Sequence, residues 1–349
     1  TLLLIVVLLV VIGLVILYST SAYNGQVKFH DSFYYLKKQA FATVLGIVLM
    51  LFVAGMDYHI WQRLAVFGYL AAVALSVAVM LFGREINGSK RWLALGPFSF
   101  QPSEFAKVAL ILFLADLVTK NVKTIGKMWT LCRIMFWILP IVGLVGASNL
   151  STAIIILGIG VILIFVASPK YAQFALMGLA GACFMGLFLA LESYRLERLA
   201  IWRNPEKYEK GYQTLQGLYA IGSGGVFGVG LGNSVQKLGF VPEAQNDMIF
   251  SIICEELGLA GAGIIVFLFL LLIWRFFMIA SGSRDLFGAL IATGAMAHMM
   301  IQVILNIAVV TNTIPNTGIT LPFISYGGTS VMFLLIEMGL VLSVSQVVD

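Results

Sequence analysis

Charged side chains are scarce in this sequence. Asp, Glu, Lys and Arg make up 11% of the 349 residues and hydrophobic residues make up 60%, whereas about a quarter of an ordinary soluble domain is charged. A water-soluble fold could not bury so much apolar surface. The mean hydropathy of +1.01 is spread along the whole chain, which excludes a soluble domain carrying one anchor.

Cysteine and histidine are also rare. The three cysteines, Cys132, Cys183 and Cys254, lie within or beside apolar runs, which indicates buried thiols rather than a disulfide framework. The three histidines are scattered and show no Cys/His metal spacing, and no Ser-His-Asp order is evident. The functions that this composition leaves open are acid–base catalysis by carboxylates and transport.

Apolar runs long enough to cross a membrane recur along the chain. A spanning helix needs about 20 such residues. The sequence on this measure predicts ten transmembrane helices, near residues 1–20, 39–56, 63–82, 103–118, 129–147, 150–168, 172–191, 249–273, 286–308 and 329–346. We therefore predict an all-α polytopic membrane protein that forms one domain over residues 1–349.

A polar, glycine-rich stretch at residues 192–248 separates the predicted seventh and eighth spans. Loops of this length are usually functional or disordered. An even number of spans places both termini on one side of the membrane. The opposite side then holds the long loop together with residues 21–38, 83–102, 148–149 and 309–328.

The loop-rich side carries more Lys and Arg than the side of the termini. Cytoplasmic loops usually carry such an excess, but long loops follow that rule poorly, so charge counting leaves the orientation open. Basic residues on this side indicate an anionic ligand. Contact with acidic headgroups or with a partner protein is an equal alternative.

An ionisable pair lies at the mouth of the predicted fourth span. Glu104 and Lys107 stand three residues apart, so they share a helix face, and Pro102 and Ser103 suit the helix start. Intramembrane charges usually face a polar cavity, which favours a cavity-facing pair. The alternative is that Glu104 caps the helix and Lys107 extends to the surface.

Glycines are concentrated in the long loop, at residues 217–233, around Ser223. This stretch lacks the lysine of a phosphate-binding loop and the spacing of a dinucleotide fingerprint, so a soluble nucleotide site is not indicated. We interpret the glycines as positions where the backbone turns tightly or approaches a ligand or another helix.

A carboxylate closes the long loop. Asp247 lies where the chain re-enters the membrane, before an apolar helix that also bears Glu255 and Glu256. Partial desolvation raises a carboxylate pKa and makes it a better base near neutral pH, while a nearby cation or helix N-terminus lowers it. Helix capping is the commoner role of Asp at such a position, so both interpretations stay open.

Polar residues also mark the end of the chain. The loop at 314–330 has Pro and Gly turns and several hydroxyls that could bind a polar ligand. Before it, Gln302 and Asn306 stand four residues apart on one helix. They form an interhelical hydrogen-bond pair or line a site, and we favour the structural role.

Six motifs occur in order along the chain. They are Gly-Ser-Lys-Arg-Trp (88–92), Gln-Pro-Ser-Glu-Phe-Ala-Lys (101–107), Ile-Gly-Ser-Gly-Gly (221–225), Pro-Glu-Ala-Gln-Asn-Asp (242–247), Glu-Glu-Leu-Gly (255–258) and Leu-Pro-Phe-Ile-Ser-Tyr-Gly-Gly (321–328). Together with a ten-span topology they resemble, over essentially the whole chain, the SEDS family of shape, elongation, division and sporulation proteins, which includes RodA, FtsW and SpoVE.

The resemblance implies a peptidoglycan glycosyltransferase that polymerises lipid II into glycan strands at the outer face of the bacterial cytoplasmic membrane. Both termini would be cytoplasmic and the loop 192–248 extracytoplasmic. The implied partners are lipid II, the nascent strand, membrane lipids and a class B penicillin-binding transpeptidase, with no nucleic acid. A lipid II flippase and a scaffold that only activates the transpeptidase are the rival hypotheses.

The resemblance also implies roles for individual residues. Asp247 would be catalytic, and Glu104 and Lys107 would line the same cavity. Lys107, Arg91 and Lys90 are candidates for binding the leaving pyrophosphate, with Mg²⁺ or Mn²⁺ as an optional cofactor and no dedicated metal site. The remaining predicted substrate-binding residues are Trp92, Gln101, Ser103, Ser223, Pro242, Glu243, Ser325 and Tyr326.

Two positions depart from the family pattern. Asn149-Leu150-Ser151-Thr152 stands where the family often has Asp-Leu-Gly-Thr, which weakens any role for a carboxylate at 149. Asn246-Asp247-Met248 stands where Thr-Asp-Phe is frequent, which leaves the catalytic position intact.

Overall fold

The described part of the protein is a helical bundle with one small β-sheet. The computed structural model describes residues 1–86, 89–95, 98–175, 178 and 200–347, without the side chains of residues 84–86, 89–90, 94–95 and 98. Its helices are α1 (Leu2–Phe29), α2 (Tyr34–Ala54), α3 (His59–Phe82), α4 (Pro102–Asn121), α5 (Met128–Ser148), α6 (Leu150–Ala167), α7 (Tyr212–Ser223), α8 (Ile249–Gly282), α9 (Leu286–Val310) and α10 (Gly328–Ser345).

Eight of these helices are long and apolar enough to cross a membrane, namely α1, α2, α3, α5, α6, α8, α9 and α10. Helix α4 is 20 residues long, which is enough to cross a membrane, but it carries charged side chains. Most of it is buried within the bundle. The predicted span at 172–191 falls largely outside the described residues, so the total of ten transmembrane helices remains a prediction.

A three-stranded antiparallel sheet follows α3, with strands β1 (Arg84–Ile86), β2 (Ser89–Leu95) and β3 (Phe98–Phe100) in that order. The prediction of an all-α fold was therefore wrong for the loop 83–102, which contains these strands. Asn-Gly at 87–88 is a sequence signal for a hairpin, but hydropathy over long windows does not register strands this short.

Helix α8 is broken at Gly258, whose φ of 66° and ψ of −168° are accessible essentially only to glycine. The glycine-rich loop fills the break. Leu259 N donates to Gly225 O (2.9 Å), and Val229 N donates to Glu255 O (2.9 Å). A Cβ on Gly228 would lie 2.2 Å from Glu256 O, so the prediction that these glycines permit close backbone approach to a helix is confirmed.

The described loops that the sequence placed on one side meet at one end of the bundle. Ser151 Oγ donates to Thr317 O (2.8 Å), and Thr329 Oγ1 donates to Ser99 O (2.8 Å). At the opposite end, the α2–α3 turn contacts the start of α9 through a hydrogen bond from the Tyr58 hydroxyl to Asp285. The first of these two ends holds the candidate site.

Candidate active site

Asp247 lies directly before α8, at the loop-rich end of the bundle. The N-cap of α8 is Met248 rather than Asp247. Gln213 Nε2, from α7, donates to Asp247 Oδ1 (3.3 Å), and Asn306 Nδ2, near the end of α9, donates to the Asp247 backbone oxygen (2.8 Å). Neutral amides therefore hold the residue from two sides, Gln213 at the carboxylate and Asn306 at the backbone, and no cation is among the hydrogen-bond partners that the described residues provide for the carboxylate.

The surroundings of Asp247 favour its neutral form. The residue keeps part of its surface accessible, yet it is closely enclosed by protein. Its pKa is raised to about 6, chiefly by burial and also by the nearby charge of Glu243, while hydrogen bonds from the backbone and from Gln213 act in the opposite direction. A carboxylate with a pKa close to ambient pH is suited to general base catalysis.

The segment that carries Asp247 is fixed by hydrogen bonds from other parts of the chain. Gln245 is buried; its side-chain oxygen accepts from Asn24 Nδ2 (3.1 Å), and its backbone oxygen accepts from Tyr326 N (2.9 Å). Glu243 has φ 52° and accepts from Asn246 Nδ2 (2.5 Å). The predicted residues Glu243 and Pro242 thus lie on the same loop as Asp247, and Tyr326 lies on a second loop that is hydrogen-bonded to it.

Ser325 and Tyr326 have different surroundings. Ser325 is buried, and its hydroxyl accepts from Leu321 N (2.8 Å), so it stabilises a turn. The ring of Tyr326 packs edge-on against Tyr35 (5.0 Å between centroids), and burial raises its pKa to about 12. Of the two, Tyr326 has the geometry of a site residue, since part of it stays exposed.

Glu104 and Lys107 form an ion pair at 3.0 Å, in which both side chains are almost fully buried. The pair predicted from their spacing is confirmed, and the alternative of a lysine extending to the surface is wrong. Lys107 Nζ also donates to Gln302 Oε1 (3.3 Å) on α9. A buried cation thereby lies beside the helix that also supports Asp247.

Gln302 and Asn306 join the two halves of the site. Gln302 contacts Lys107, and Asn306 contacts Asp247, about one helical turn away on α9. Both amides also hold the loop after α9, through Thr320 O (3.1 Å) and Ile319 O (2.7 Å). The structural role we favoured is confirmed, but the two residues also contact the predicted site residues.

Two members of this network were missed from the sequence. His298 Nε2 lies 2.8 Å from Gln302 Oε1, and His298 Nδ1 lies 2.8 Å from Glu337 Oε2 on α10. His298, Gln302 and Asn306 recur at four-residue intervals on one apolar helix, and that spacing was a usable signal for a polar stripe. No comparable sequence pattern indicated that Gln213 contacts Asp247.

Several predicted site residues have described contacts that lie away from Asp247. Arg91 Nε donates to Ser148 O (3.1 Å), and Gln101 Nε2 donates to Ser103 Oγ (3.1 Å), around a small cavity at the α5–α6 junction. Asn149 borders this cavity and caps α6 by accepting from Thr152 N (3.3 Å), so this helix start is capped without a carboxylate.

The last three predicted residues are not brought to Asp247 by any described contact. Ser223 is exposed and donates to Ala220 O (3.0 Å) in its own helix. Trp92 is half-buried on strand β2. Lys90 lies on the same strand, but its side chain is outside the described part of the structure. Their proposed contacts with substrate stay predictions.

Metal binding also stays a prediction. Within the described part of the chain, no three His, Cys, Asp or Glu side chains lie close enough together to hold an ion.

The fold and the site define a polytopic membrane protein with a partly exposed carboxylate close to a buried Lys–Glu pair. Residues 1–349 match the family described as Cell cycle protein, the FtsW, RodA and SpoVE family. The chain belongs to this family, as the motifs indicated.

Individual relatives cover nearly the full chain. Stage V sporulation protein E of Bacillus subtilis (strain 168) is 40% identical over 99% of this chain and 96% of its own. A protein named probable peptidoglycan glycosyltransferase FtsW, from Trichlorobacter lovleyi, is 35% identical over 99% of this chain and 92% of its own.

Solved structures share the fold. One chain, from a peptidoglycan synthase complex described as coordinating polymerization and crosslinking, has a TM-score of 0.84 at 30% identity and covers 99% of this chain and 96% of its own. The rod shape determining protein RodA of Thermus thermophilus has a TM-score of 0.73 at 28% identity, over 99% of this chain and 95% of its own.

Proposed function

We propose that this protein is a peptidoglycan glycosyltransferase that polymerises lipid II at the outer face of the bacterial cytoplasmic membrane, with both termini cytoplasmic. The observation that carries the proposal is Asp247, a carboxylate whose pKa is raised to about 6 at the loop-rich end of the bundle. The name of the FtsW relative, probable peptidoglycan glycosyltransferase, supports the reaction class.

In the proposed reaction Asp247 accepts the proton of the sugar 4-hydroxyl of an acceptor lipid II. That oxygen attacks the anomeric carbon of the lipid-linked donor glycan, and undecaprenyl pyrophosphate leaves. The α-linkage of the donor becomes β in the product, so a single displacement with inversion suffices. One base and no protein nucleophile are needed, unlike the paired carboxylates of glycoside hydrolysis. Gln213 fixes the orientation of the base through Oδ1.

The leaving pyrophosphate requires compensating positive charge. Lys107 is the first candidate, because its buried ammonium is connected to Asp247 through Gln302 and Asn306. Arg91 and Lys90 are further candidates from the sheet that follows α3, and a divalent cation would act with them. The similar chain from a peptidoglycan synthase complex that coordinates polymerization and crosslinking supports a class B penicillin-binding transpeptidase as partner.

The test is polymerisation of lipid II by the purified protein with its partner in detergent. Asp247→Asn keeps the shape of the side chain but removes the base, and we expect glycan synthesis to fall by about 10²-fold or more. Asp31→Asn is the matched control, because Asp31 is a carboxylate near the end of α1 whose contacts are with Lys37 and Phe33. It should leave synthesis unchanged.

The same preparation separates the rival functions. A flippase would yield no polymer with wild-type protein but would move lipid II across vesicles, because a buried ion pair also suits transport. A scaffold would leave polymerisation intact in Asp247→Asn. Either result would contradict the proposal.

A further inference from the structure

A histidine and a glutamate meet inside the bundle next to the candidate site. His298 on α9 and Glu337 on α10 are 1% and 2% exposed, and His298 Nδ1 lies 2.8 Å from Glu337 Oε2. The other ring nitrogen, Nε2, lies 2.8 Å from Gln302 Oε1. The proposed reaction gives this pair no role, yet one amide separates it from Lys107.

The orientation of the Gln302 amide is fixed by two partners independent of the histidine. Its Nε2 lies 3.1 Å from Thr320 O, a carbonyl that can only accept, and its Oε1 lies 3.3 Å from Lys107 Nζ, an ammonium that can only donate. A flipped amide would place oxygen against oxygen and NH₂ against the ammonium. The atom that faces His298 Nε2 is therefore an acceptor.

Both ring nitrogens of His298 consequently face oxygen acceptors. A neutral imidazole carries one N–H, so one of these contacts would bring two lone pairs together at 2.8 Å. One additional proton, on Nδ1 or shared with Glu337, removes this repulsion. The His298–Glu337 pair then carries no net charge, as does the Glu104–Lys107 pair beside it, which suits four ionisable groups within an apolar bundle.

We propose that His298 and Glu337 hold one shared proton and thereby position Lys107. With Nε2 protonated, His298 keeps Gln302 Oε1 turned toward the ammonium, and this oxygen accepts from both residues. Lys107 is thus held by Glu104 on its own helix and by Gln302 on α9. The role of Lys107 toward the leaving pyrophosphate rests on the proposed function. The shared proton of His298 and Glu337 does not depend on that function.

The proton is observed directly by nuclear magnetic resonance of ¹⁵N-histidine-labelled protein in nanodiscs. The chain has three histidines, so replacing His30 and His59 by Gln leaves His298 as the single imidazole. At pH 7 we expect Nε2 to carry a proton and a second proton to lie in the Nδ1–Glu337 hydrogen bond. An Nε2 without a proton would overturn the proposal.

Glu337→Gln provides a second variant that keeps the shape of the pair. The amide introduced by this substitution would donate to Nδ1 of His298, so we expect the Nδ1 proton to disappear while Nε2 stays protonated. Thr293→Val is the matched control on α9, since the Thr293 hydroxyl bonds only to Ala289 O (2.8 Å) among the contacts described for it. It should leave both ring signals unchanged. A Glu337→Gln spectrum identical to wild type would also overturn the proposal.

A double-mutant cycle tests the positioning role. His298→Gln should lower kcat about tenfold by misplacing Lys107, and adding it to Lys107→Met should cause no further loss, because both act through one contact. Independent, multiplicative losses would overturn the positioning role. If the wild-type protein shows no polymerisation, the proposed function is rejected instead. The magnetic resonance experiment then still tests whether His298 and Glu337 share a proton.

Discussion

Two buried Lys–Glu pairs in this protein have the same composition but different surroundings. Lys237 and Glu256, at 2.6 Å, share one hydroxyl, since Ser19 Oγ of α1 lies 2.8 Å from Glu256 Oε1 and 3.0 Å from Lys237 Nζ. Lys107 and Glu104 lie on one helix and connect instead through Gln302 to a network that reaches Asp247.

The difference teaches that burial of charge alone does not identify a reactive group. The Lys237–Glu256 pair attaches the end of the long loop to α1 and α8, and the adjacent Glu255 accepts from Val235 N (3.1 Å). Every one of these contacts stays within the scaffold. The Lys107–Glu104 pair contributes to the scaffold too, but its partner on α9 also serves the site. Three experiments can break or sharpen this distinction.

The largest effect is expected at the break in α8. In Gly258→Ala a Cβ would lie 2.4 Å from Gly228 N and 2.5 Å from Val226 O, in a backbone conformation that only glycine adopts readily. We expect the free energy of unfolding to fall by about 3 kcal/mol or more, measured by thermal unfolding in detergent. Gly263→Ala, on the same helix with no atom within 4 Å of the new Cβ, should leave stability unchanged or slightly higher. Equal stability of the two variants would contradict a scaffold role for the loop.

The second effect distinguishes Lys107 from Lys237 by the rate of polymerisation per folded protein molecule. Lys107→Met should lower polymerisation about 10²-fold, as loss of a charge that stabilises the leaving group does. Lys237→Met should lower stability by about 3–5 kcal/mol, because it leaves Glu256 buried without its cation. The turnover of its folded fraction should stay close to that of wild type. Assays of both variants below their melting temperatures check this, and equal losses of turnover would remove the distinction.

The smallest effect concerns pH. Asp247 must be ionised to accept a proton, so with its pKa at about 6 the rate should be maximal above that pH and fall as pH drops through it. Glu243→Gln removes the like charge that raises this pKa, and the midpoint of kcat/KM should move to lower pH. Asp57→Asn, an exposed carboxylate at the opposite end of the bundle, should leave the midpoint in place. An unshifted profile in Glu243→Gln would show that Glu243 does not act on Asp247.

Hydropathy predicted where most helices lie but not where they end or break. The first span was expected at 1–20, whereas α1 continues to Phe29, because polar residues such as Asn24 extend a helix beyond its apolar run. The break at Gly258 was also missed. A glycine inside an apolar run shows no sign of the second segment that will occupy it, since that segment lies elsewhere in the sequence.

The site was predicted where a residue type was unusual for its place. Asp247 and the Glu104–Lys107 pair were identified because charged residues stood at the edges of apolar spans. Gln213 and Glu337 were missed, because their importance comes from contacts across the bundle that packing alone decides. For Arg91 the motif suggested a substrate contact, its described hydrogen bond is to Ser148 at the α5–α6 junction, and its role stays a prediction.

The filled break in α8 also restricts how the loop can evolve. Leu259 and Ala260 donate to Gly225 and Val226, and in return Val229 and Gly230 donate to the helix. An insertion or deletion between residues 225 and 230 would put these bonds out of register and leave backbone groups unpaired at the break in an apolar helix. Although it connects two helices, this segment should therefore keep a constant length among homologous chains, as the interior of a transmembrane helix does.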